Sequence, residues 1–184
     1  MGSKSKEERI LELFLNYGTK QWHFEEILKM AKTSRSKAVK WLNKFISRGI
    51  IKRVKPKGKM PYYIADFDTP SYKNHKKIYL LNKLNDCGLL YHLMSLSKAK
   101  TVIIFGSFSR GDWYWDSDLD IFIYGDDEDF EKTKYEAKLK RDIQIFNAKD
   151  KGDLEKIGED LIYNIIKGNL IKGDLDFIEV KIHA

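Results

Sequence analysis

The chain has 184 residues, 42% of them hydrophobic, and a formal net charge of +7 at pH 7. This composition can bury a core, and no apolar run approaches the roughly 20 residues of a membrane span, so we expect no membrane association. Met1 to Lys6 is short and polar with no apolar segment behind it, which predicts neither a signal nor a transit peptide and a cytoplasmic location. Cys87 is the one cysteine, which excludes an intrachain disulfide and a cysteine-based zinc site.

Charge divides the chain into two parts. Residues 1–65 hold 16 Lys and Arg against 5 Asp and Glu, a net charge of +11, whereas residues 66–184 hold 18 against 22, a net charge of −4. The two values sum to the +7 of the whole chain. This asymmetry indicates two modules, one that favours polyanions and one built around acidic chemistry.

The basic part is predicted to fold as three helices followed by two strands. The predicted helices are Glu7 to Asn16, Glu25 to Met30 and Ser34 to Arg48, and the predicted strands are Ile50 to Lys55 and Tyr62 to Ala65. Trp41 is expected to pack in the core rather than to contact a ligand. Apolar residues also recur at helical spacing along the third helix and are expected to face the core: Ala38, Val39, Leu42, Phe45 and Ile46.

This order of elements resembles a winged helix-turn-helix domain. The resemblance implies that the third helix enters the major groove of DNA and that the wing between the strands contacts phosphates. A solvated lysine-rich face and a winged helix that binds protein are the alternatives. The residues offered to nucleic acid are Arg35, Lys37, Lys40 and Lys44, with Ser34 and Ser36, on the helix and Lys57 and Lys59 on the wing.

Residues 66–98 are expected to form a linker and connecting helices. Thr69-Pro70 marks the linker, and residues 72–96 are mostly helical with a break at Asp86-Cys87-Gly88. This segment is expected to pack beside the sheet that follows it.

Residues 102–125 carry the motif that is richest in chemistry. An apolar strand ends at Gly106-Ser107, and after a gap of ten residues Asp118-Leu119-Asp120 opens a second apolar strand. Because side chains alternate along a strand, Asp118 and Asp120 project from one face, and two carboxylates side by side favour a hard cation such as Mg²⁺. Gly106 permits unusual backbone angles, and Ser107 is expected to cap a short helix over residues 108–111 whose N–H groups hold phosphate.

The run from Phe105 to Asp112, followed by Asp116 to Asp120, resembles the motif of the DNA polymerase beta-like nucleotidyltransferase superfamily and especially its minimal branch. The resemblance covers about residues 89–180. It implies a fold of the α+β class, a small mixed-sheet nucleotidyltransferase domain preceded by an all-α or winged-helix domain. The expected boundaries are 1–65 for the winged helix, 66–98 for the connection and 99–184 for the nucleotidyltransferase domain.

The same resemblance implies a third carboxylate on a later strand. After a predicted amphipathic helix over residues 128–140, Arg141 to Phe146 alternates as a strand, with Asp142 and Gln144 on one face. Asp142 is therefore the candidate, and a solvated Asp at the start of a strand is the alternative. Weaker rivals lie in loops or later segments: Asp150, Asp153, Asp174 and Asp176.

The resemblance assigns roles to these residues. Asp118, Asp120 and Asp142 would be catalytic and would bind two Mg²⁺ ions. Gly106, Ser107 and Arg110 would hold the phosphates of a nucleoside triphosphate, taken to be ATP, although Arg110 can equally be a solvated loop arginine. The loop aromatic residues have two open interpretations, stacking on a base or covering a domain interface: Trp113, Tyr114 and Trp115.

After the third strand, the spacing predicts one helix from Leu154 to Lys167. Asn169 to Lys172 and Leu175 to Ile182 then predict a hairpin through Gly173-Asp174.

Two classes of function remain open. In the first, the enzyme moves AMP from ATP to a hydroxyl of an acceptor, which is either a partner protein, as in toxin-antitoxin systems, or a small molecule such as an aminoglycoside. In the second, the chain is a DNA-binding transcriptional regulator whose nucleotidyltransferase domain senses a nucleotide or is inactive. Oligomeric state is open in both.

Overall fold

A computed structural model describes residues 4–178. The chain forms two compact units, residues 1–79 and 80–184, and the boundary between Tyr79 and Leu80 falls inside a helix. No helix among the described residues is both long enough and apolar enough to cross a membrane.

The first unit has three helices and a short antiparallel ribbon. Ser5 caps α1 because its hydroxyl accepts from the Glu8 N–H while the Glu8 side chain accepts from the Ser5 N–H. Trp22 and Tyr63 of β2 exchange two backbone hydrogen bonds of 2.9 Å, which form an isolated antiparallel bridge at the edge of the ribbon. The elements are α1 (Lys6–Asn16), α2 (Phe24–Ala31), α3 (Arg35–Ser47), β1 (Ile51–Val54) and β2 (Tyr62–Ala65).

The core of this unit departs from the sequence pattern at α3. Ala38, Leu42 and Phe45 are fully buried, as predicted, but Val39 is 46% exposed and Ile46 is 36% exposed. The prediction that these two face the core was wrong because the packed side of α3 is narrower than the apolar stripe. Trp41 packs partly buried against the core.

The second unit contains a four-stranded mixed sheet in the order β5-β4-β3-β6. Strands β4 and β5 are parallel, since α7 provides the crossover between them, and β3 is antiparallel to both β4 and β6. The elements are α4 (Pro70–Asp86, begun in the first unit), α5 (Leu89–Ser95), β3 (Ala99–Phe105), α6 (Gly106–Arg110), β4 (Leu119–Gly125), α7 (Lys132–Leu139), β5 (Ile143–Ala148), α8 (Lys151–Glu155), α9 (Glu159–Ile166) and β6 (Asn169–Lys172).

One face of this sheet carries an aromatic core that ends at the two central strands. Phe122 lies opposite Ile103 and Asp120 lies opposite Phe105, so Asp120 continues the row of Phe122 and Tyr124. Phe105 meets Phe146 of β5 edge to face, with ring centroids 5.2 Å apart. The apolar layer therefore runs up to Asp120, where polar side chains replace it.

Two predictions for the C-terminal region were wrong. The single helix over residues 154–167 is interrupted at Lys156–Gly158, because Gly158 adopts an extended conformation and becomes the N-cap of α9. Leu175 to Ile178 forms a turn rather than a strand, since Phe177 packs against the sheet with its ring 4.5 Å from that of Tyr124. The rest of the predicted last strand, residues 179–182, lies outside the described residues.

Candidate functional site

The turn after β3 approaches the Asp120 carboxylate very closely. Gly106 has φ +72°, and a Cβ at this position would lie 2.1 Å from Oδ2 of Asp120. The backbone angle therefore favours glycine, and any other residue here would have to displace the Asp120 carboxylate. Helix α6 begins at Gly106 itself and has no side-chain cap, so the prediction that Ser107 caps a helix over residues 108–111 was wrong.

Asp118 and Asp120 occupy neighbouring positions with different exposure. Asp120 lies within β4 and is half-buried, whereas Asp118 precedes the strand and is exposed. Burial raises the pKa of the Asp120 carboxyl, the negative charge of Asp118 raises it further, and the Arg110 guanidinium opposes both effects. The ionised pair is thus held at an electrostatic cost that a bound cation would remove.

Asp142 immediately precedes β5, the strand that pairs with β4. Its carbonyl accepts a 2.9 Å hydrogen bond from the Leu119 N–H, and the parallel register places Gln144 opposite Asp120. Asp142 is therefore level with Asp118. Within residues 4–178, no three His, Cys, Asp or Glu side chains come close enough together to hold a metal ion. The role of Asp142 as a third ligand stays a prediction.

An open cavity of about 560 Å³ flanks the β5 side of the carboxylates. Most of its wall was not predicted from the sequence. Phe130 was assigned to a helix over residues 128–140, but α7 begins only at Lys132, which leaves Phe130 in the loop after β4. The cavity is lined by Asp118, Asp127, Phe130, Lys132, Asp142, Ile143, Gln144 and Ile145.

Arg110 and the loop aromatics follow the Gly106 turn along the chain. The Arg110 side chain forms an exposed 3.0 Å ion pair with Asp112 and remains close enough to Asp120 to affect its pKa. Trp113 is only 1% exposed and stacks on Phe108, so it is a packing residue and does not stack on a base. Tyr114 and Trp115 are 50% and 58% exposed.

The predicted nucleic-acid contacts of the first unit differ in their surroundings. Arg35 forms an ion pair with Glu25 at 2.5 Å, and Lys44 forms one with Glu7 at 2.7 Å. Lys44 and Lys40 also lie over the Trp41 ring, at 4.7 and 5.1 Å from its centre. The remaining predicted basic contacts, Lys37, Lys57 and Lys59, are exposed.

Comparison with known proteins gives one match. Residues 90–174 match the model of the family described as Polymerase beta, Nucleotidyltransferase. The matched range includes the Gly106 turn, Asp118, Asp120 and Asp142, and it supports a nucleotidyltransferase domain in the second unit. Comparison with curated proteins and with solved structures gave no match.

Nucleotidyltransferases of this family generally use a nucleoside triphosphate and Mg²⁺. The donor chemistry at Asp118 and Asp120 fits such an ion, since two carboxylates on alternate residues present the oxygen ligands that Mg²⁺ prefers. The raised pKa of Asp120 agrees with this, because a divalent cation would relieve the repulsion between the two groups.

We expect Gly106→Ala to displace the Asp120 carboxylate and to lower apparent Mg²⁺ affinity at least tenfold. Gly58→Ala is the matched control, because Gly58 has nearly the same φ (+71°) but no heavy atom within 4 Å of the point that a Cβ would occupy. Both variants carry similar backbone strain, so only Gly106→Ala should reduce the shift in thermal midpoint caused by Mg²⁺ with a nucleotide. Equal effects in the two variants would show that strain alone matters.

We expect Asp120→Asn to raise the thermal midpoint in metal-free buffer at pH 7, by roughly 1–3 °C. Because the pKa of Asp120 is raised in the folded state, protonation stabilises the fold. That stability is complete below the unfolded pKa and is lost as pH rises through the folded pKa. The gain should therefore shrink on acidification. Asp116→Asn, at an exposed position of the loop before β4, is the control, and a lower midpoint for Asp120→Asn would contradict the prediction.

Proposed function

We propose that the chain is a Mg²⁺-dependent nucleotidyltransferase that moves AMP from ATP to a hydroxyl acceptor. The observation that carries this proposal is the contact of the Gly106 turn with Asp120, beside Asp118, inside the range that matches the nucleotidyltransferase family. A glycine turn against paired carboxylates brings a phosphate-binding backbone and a metal-binding group to one point.

The strand order supports separate sides for nucleotide and acceptor. Strand β3 delivers Gly106 and Ser107 to one side of β4, where Arg110 adds a positive charge, and this side would hold the triphosphate. Strand β5 delivers Asp142 to the other side, at the cavity of about 560 Å³. The acceptor hydroxyl would enter through that cavity.

The carboxylates would carry the chemistry between these two sides. Asp118 and Asp120 would hold one Mg²⁺ ion, and Asp142, level with Asp118, would complete the ligands of a second. Bound Mg²⁺ would supply charge neutralisation for the phosphates and a more acidic acceptor hydroxyl. Asp142, which lines the cavity, would serve the acceptor side, and Arg110 would balance charge on the departing pyrophosphate.

The first unit is consistent with the element order of a winged helix-turn-helix, with α3 followed by the β1-β2 ribbon. We propose residues 1–65 as that domain, residues 66–98 as the connection and residues 99–184 as the nucleotidyltransferase domain. The exposed lysines of this unit support DNA as a ligand. A DNA-binding module beside a small transferase favours a protein acceptor, as in a toxin-antitoxin pair, over a small molecule.

The proposed activity is tested with α-labelled nucleoside triphosphates, Mg²⁺ and host extract. The wild type should label an acceptor, with ATP as the preferred donor, and the double variant Asp118→Ala, Asp120→Ala should label nothing. Asp116→Ala, an exposed loop variant, should retain the activity and is the control. If none of the four triphosphates gives a labelled product, the enzyme proposal is overturned.

One observation favours the second candidate, a DNA-binding regulator that senses a nucleotide. The carboxylates within residues 4–178 do not gather as a group of three around one metal position. This function would be supported instead if the wild type binds a nucleotide but forms no labelled product, and if the nucleotide changes its affinity for DNA.

We expect the double variant Lys57→Ala, Lys59→Ala to weaken DNA binding about equally across DNA sequences. The slope of the logarithm of the binding constant against the logarithm of the salt concentration should fall in magnitude by about 1 to 2. Both lysines are exposed on the segment between β1 and β2. Lys98→Ala is the control, because this lysine lies in the second unit and pairs with Glu128. DNA affinity that is unchanged, or lost equally in the control, would contradict a wing contact.

A further inference from the structure

The segment between α6 and β4 delivers Asp118 to the site without any helix or strand of its own. Residues 111–118 are turns and irregular backbone, yet Trp113 in the middle is 1% exposed. Its ring stacks on Phe108 of α6, with centroids 5.3 Å apart and planes within 11°. A segment of this kind needs specific contacts to hold one conformation, because its backbone lacks the regular hydrogen-bond pattern of a helix or a sheet.

Arg141 supplies such contacts from the residue before the candidate third carboxylate. Its Nη1 donates to the carbonyl of Tyr114 at 2.8 Å and to the carbonyl of Ser117 at 3.0 Å. Its guanidinium also lies over the ring of Trp113, 4.8 Å from the centre, and over that of Phe108 at 5.4 Å. One side chain thus joins two carbonyls and the stacked aromatic pair.

The next peptide group extends the same connection into the sheet. The carbonyl of Asp142 accepts from the N–H of Leu119 at 2.9 Å. Arg141 and Asp142 together therefore hold the chain on both sides of Asp118, at Ser117 and at Leu119. The planar guanidinium can stack and donate at the same time, whereas a lysine ammonium has no flat face to stack.

We propose that Arg141 is a positioning residue that fixes Asp118 beside Asp120 without contacting the nucleotide. Its Nη1 donates hydrogen bonds to two backbone carbonyls of the loop, so this end of the guanidinium is directed at the loop that carries Asp118. This inference rests on the proposed function for its catalytic consequence. Its structural consequence, an ordered backbone from Tyr114 to Leu119, stands independently of turnover.

The test compares Arg141→Met, Arg141→Lys and Arg141→Ala with the wild type. Misplacement of a metal-binding carboxylate by about 1 Å can cost on the order of 100-fold in rate. We therefore expect Arg141→Met to raise the Mg²⁺ concentration for half-maximal activity about tenfold and to lower kcat by roughly 30- to 100-fold, with a KM for the triphosphate within about threefold of wild type. Arg141→Lys should recover less than a tenth of the lost rate, and added guanidinium ion should partly restore Arg141→Ala.

Lys138→Met is the matched control. Lys138 is also a basic residue that shortly precedes β5 in the chain, on α7, but its Nζ donates to the carbonyl of Cys87 at 2.9 Å rather than to the loop. Removal of this charge should leave the Mg²⁺ dependence within twofold of wild type. An equal effect of Lys138→Met would mean that overall charge matters, and the positioning role would be wrong.

Backbone hydrogen exchange provides a readout that requires no activity. Loss of the Arg141 contacts should speed exchange at least tenfold in the peptide covering residues 114–119, while peptides from β3 and the first unit keep wild-type rates. Arg141→Lys provides this measurement if Arg141→Met does not fold. Unchanged exchange in this peptide overturns the proposal. If the Arg141 variant exchanges faster but the wild type itself has no transferase activity, the positioning role is supported and the proposed function is wrong. The two failures are therefore distinct.

Discussion

The contact between the Gly106 backbone and the Asp120 carboxylate is the constraint on which the site depends. A Cβ at position 106 would meet the Asp120 carboxylate, so a residue other than glycine here would displace that carboxylate. The antiparallel pairing of Phe105 with Asp120 places the turn at the same level as the carboxylate. The backbone of the turn and a carboxylate oxygen of Asp120 are therefore adjacent, and the partial burial of Asp120 raises the pKa of its carboxyl.

Strand β5 provides the opposite half of the site through two different chemical groups. The Asp142 carbonyl at its start holds Leu119, and the preceding residue holds the approach loop through the Arg141 guanidinium. The parallel pairing of β4 with β5 is essential to this arrangement, because it puts the start of both strands at the same edge of the sheet. The cavity at that edge is lined by residues of β5 and of the neighbouring loops rather than by the Gly106 turn.

Two of the basic side chains predicted to contact DNA in the first unit already form ion pairs with glutamates. Arg35 and Lys44 are compensated by Glu25 and Glu7, so a polyanion would have to compete with a carboxylate for each of them. These pairs are partly or largely exposed and are therefore weak. Exchange of such partners costs little, and the positive field of the unit persists, since residues 1–65 carry a net charge of +11.

The sequence by itself determined the features that depend on neighbours along the chain. The alternation of Asp118, Leu119 and Asp120, the glycine turn, the basic third helix and the mixed α+β order are all local patterns, and the described structure contains them. Only the tertiary structure decided which distant groups meet. Base stacking and an interface position were both open for Trp113, but it packs on Phe108 and under the guanidinium of Arg141. The same guanidinium donates to two carbonyls of the loop, a contact between residues far apart in the chain that the sequence did not indicate. The pairing of β4 with β5 places Asp142 opposite Asp118, and residue spacing does not specify that register. The exposure of Val39 and Ile46 likewise follows from how α3 packs, which the spacing of apolar residues does not specify.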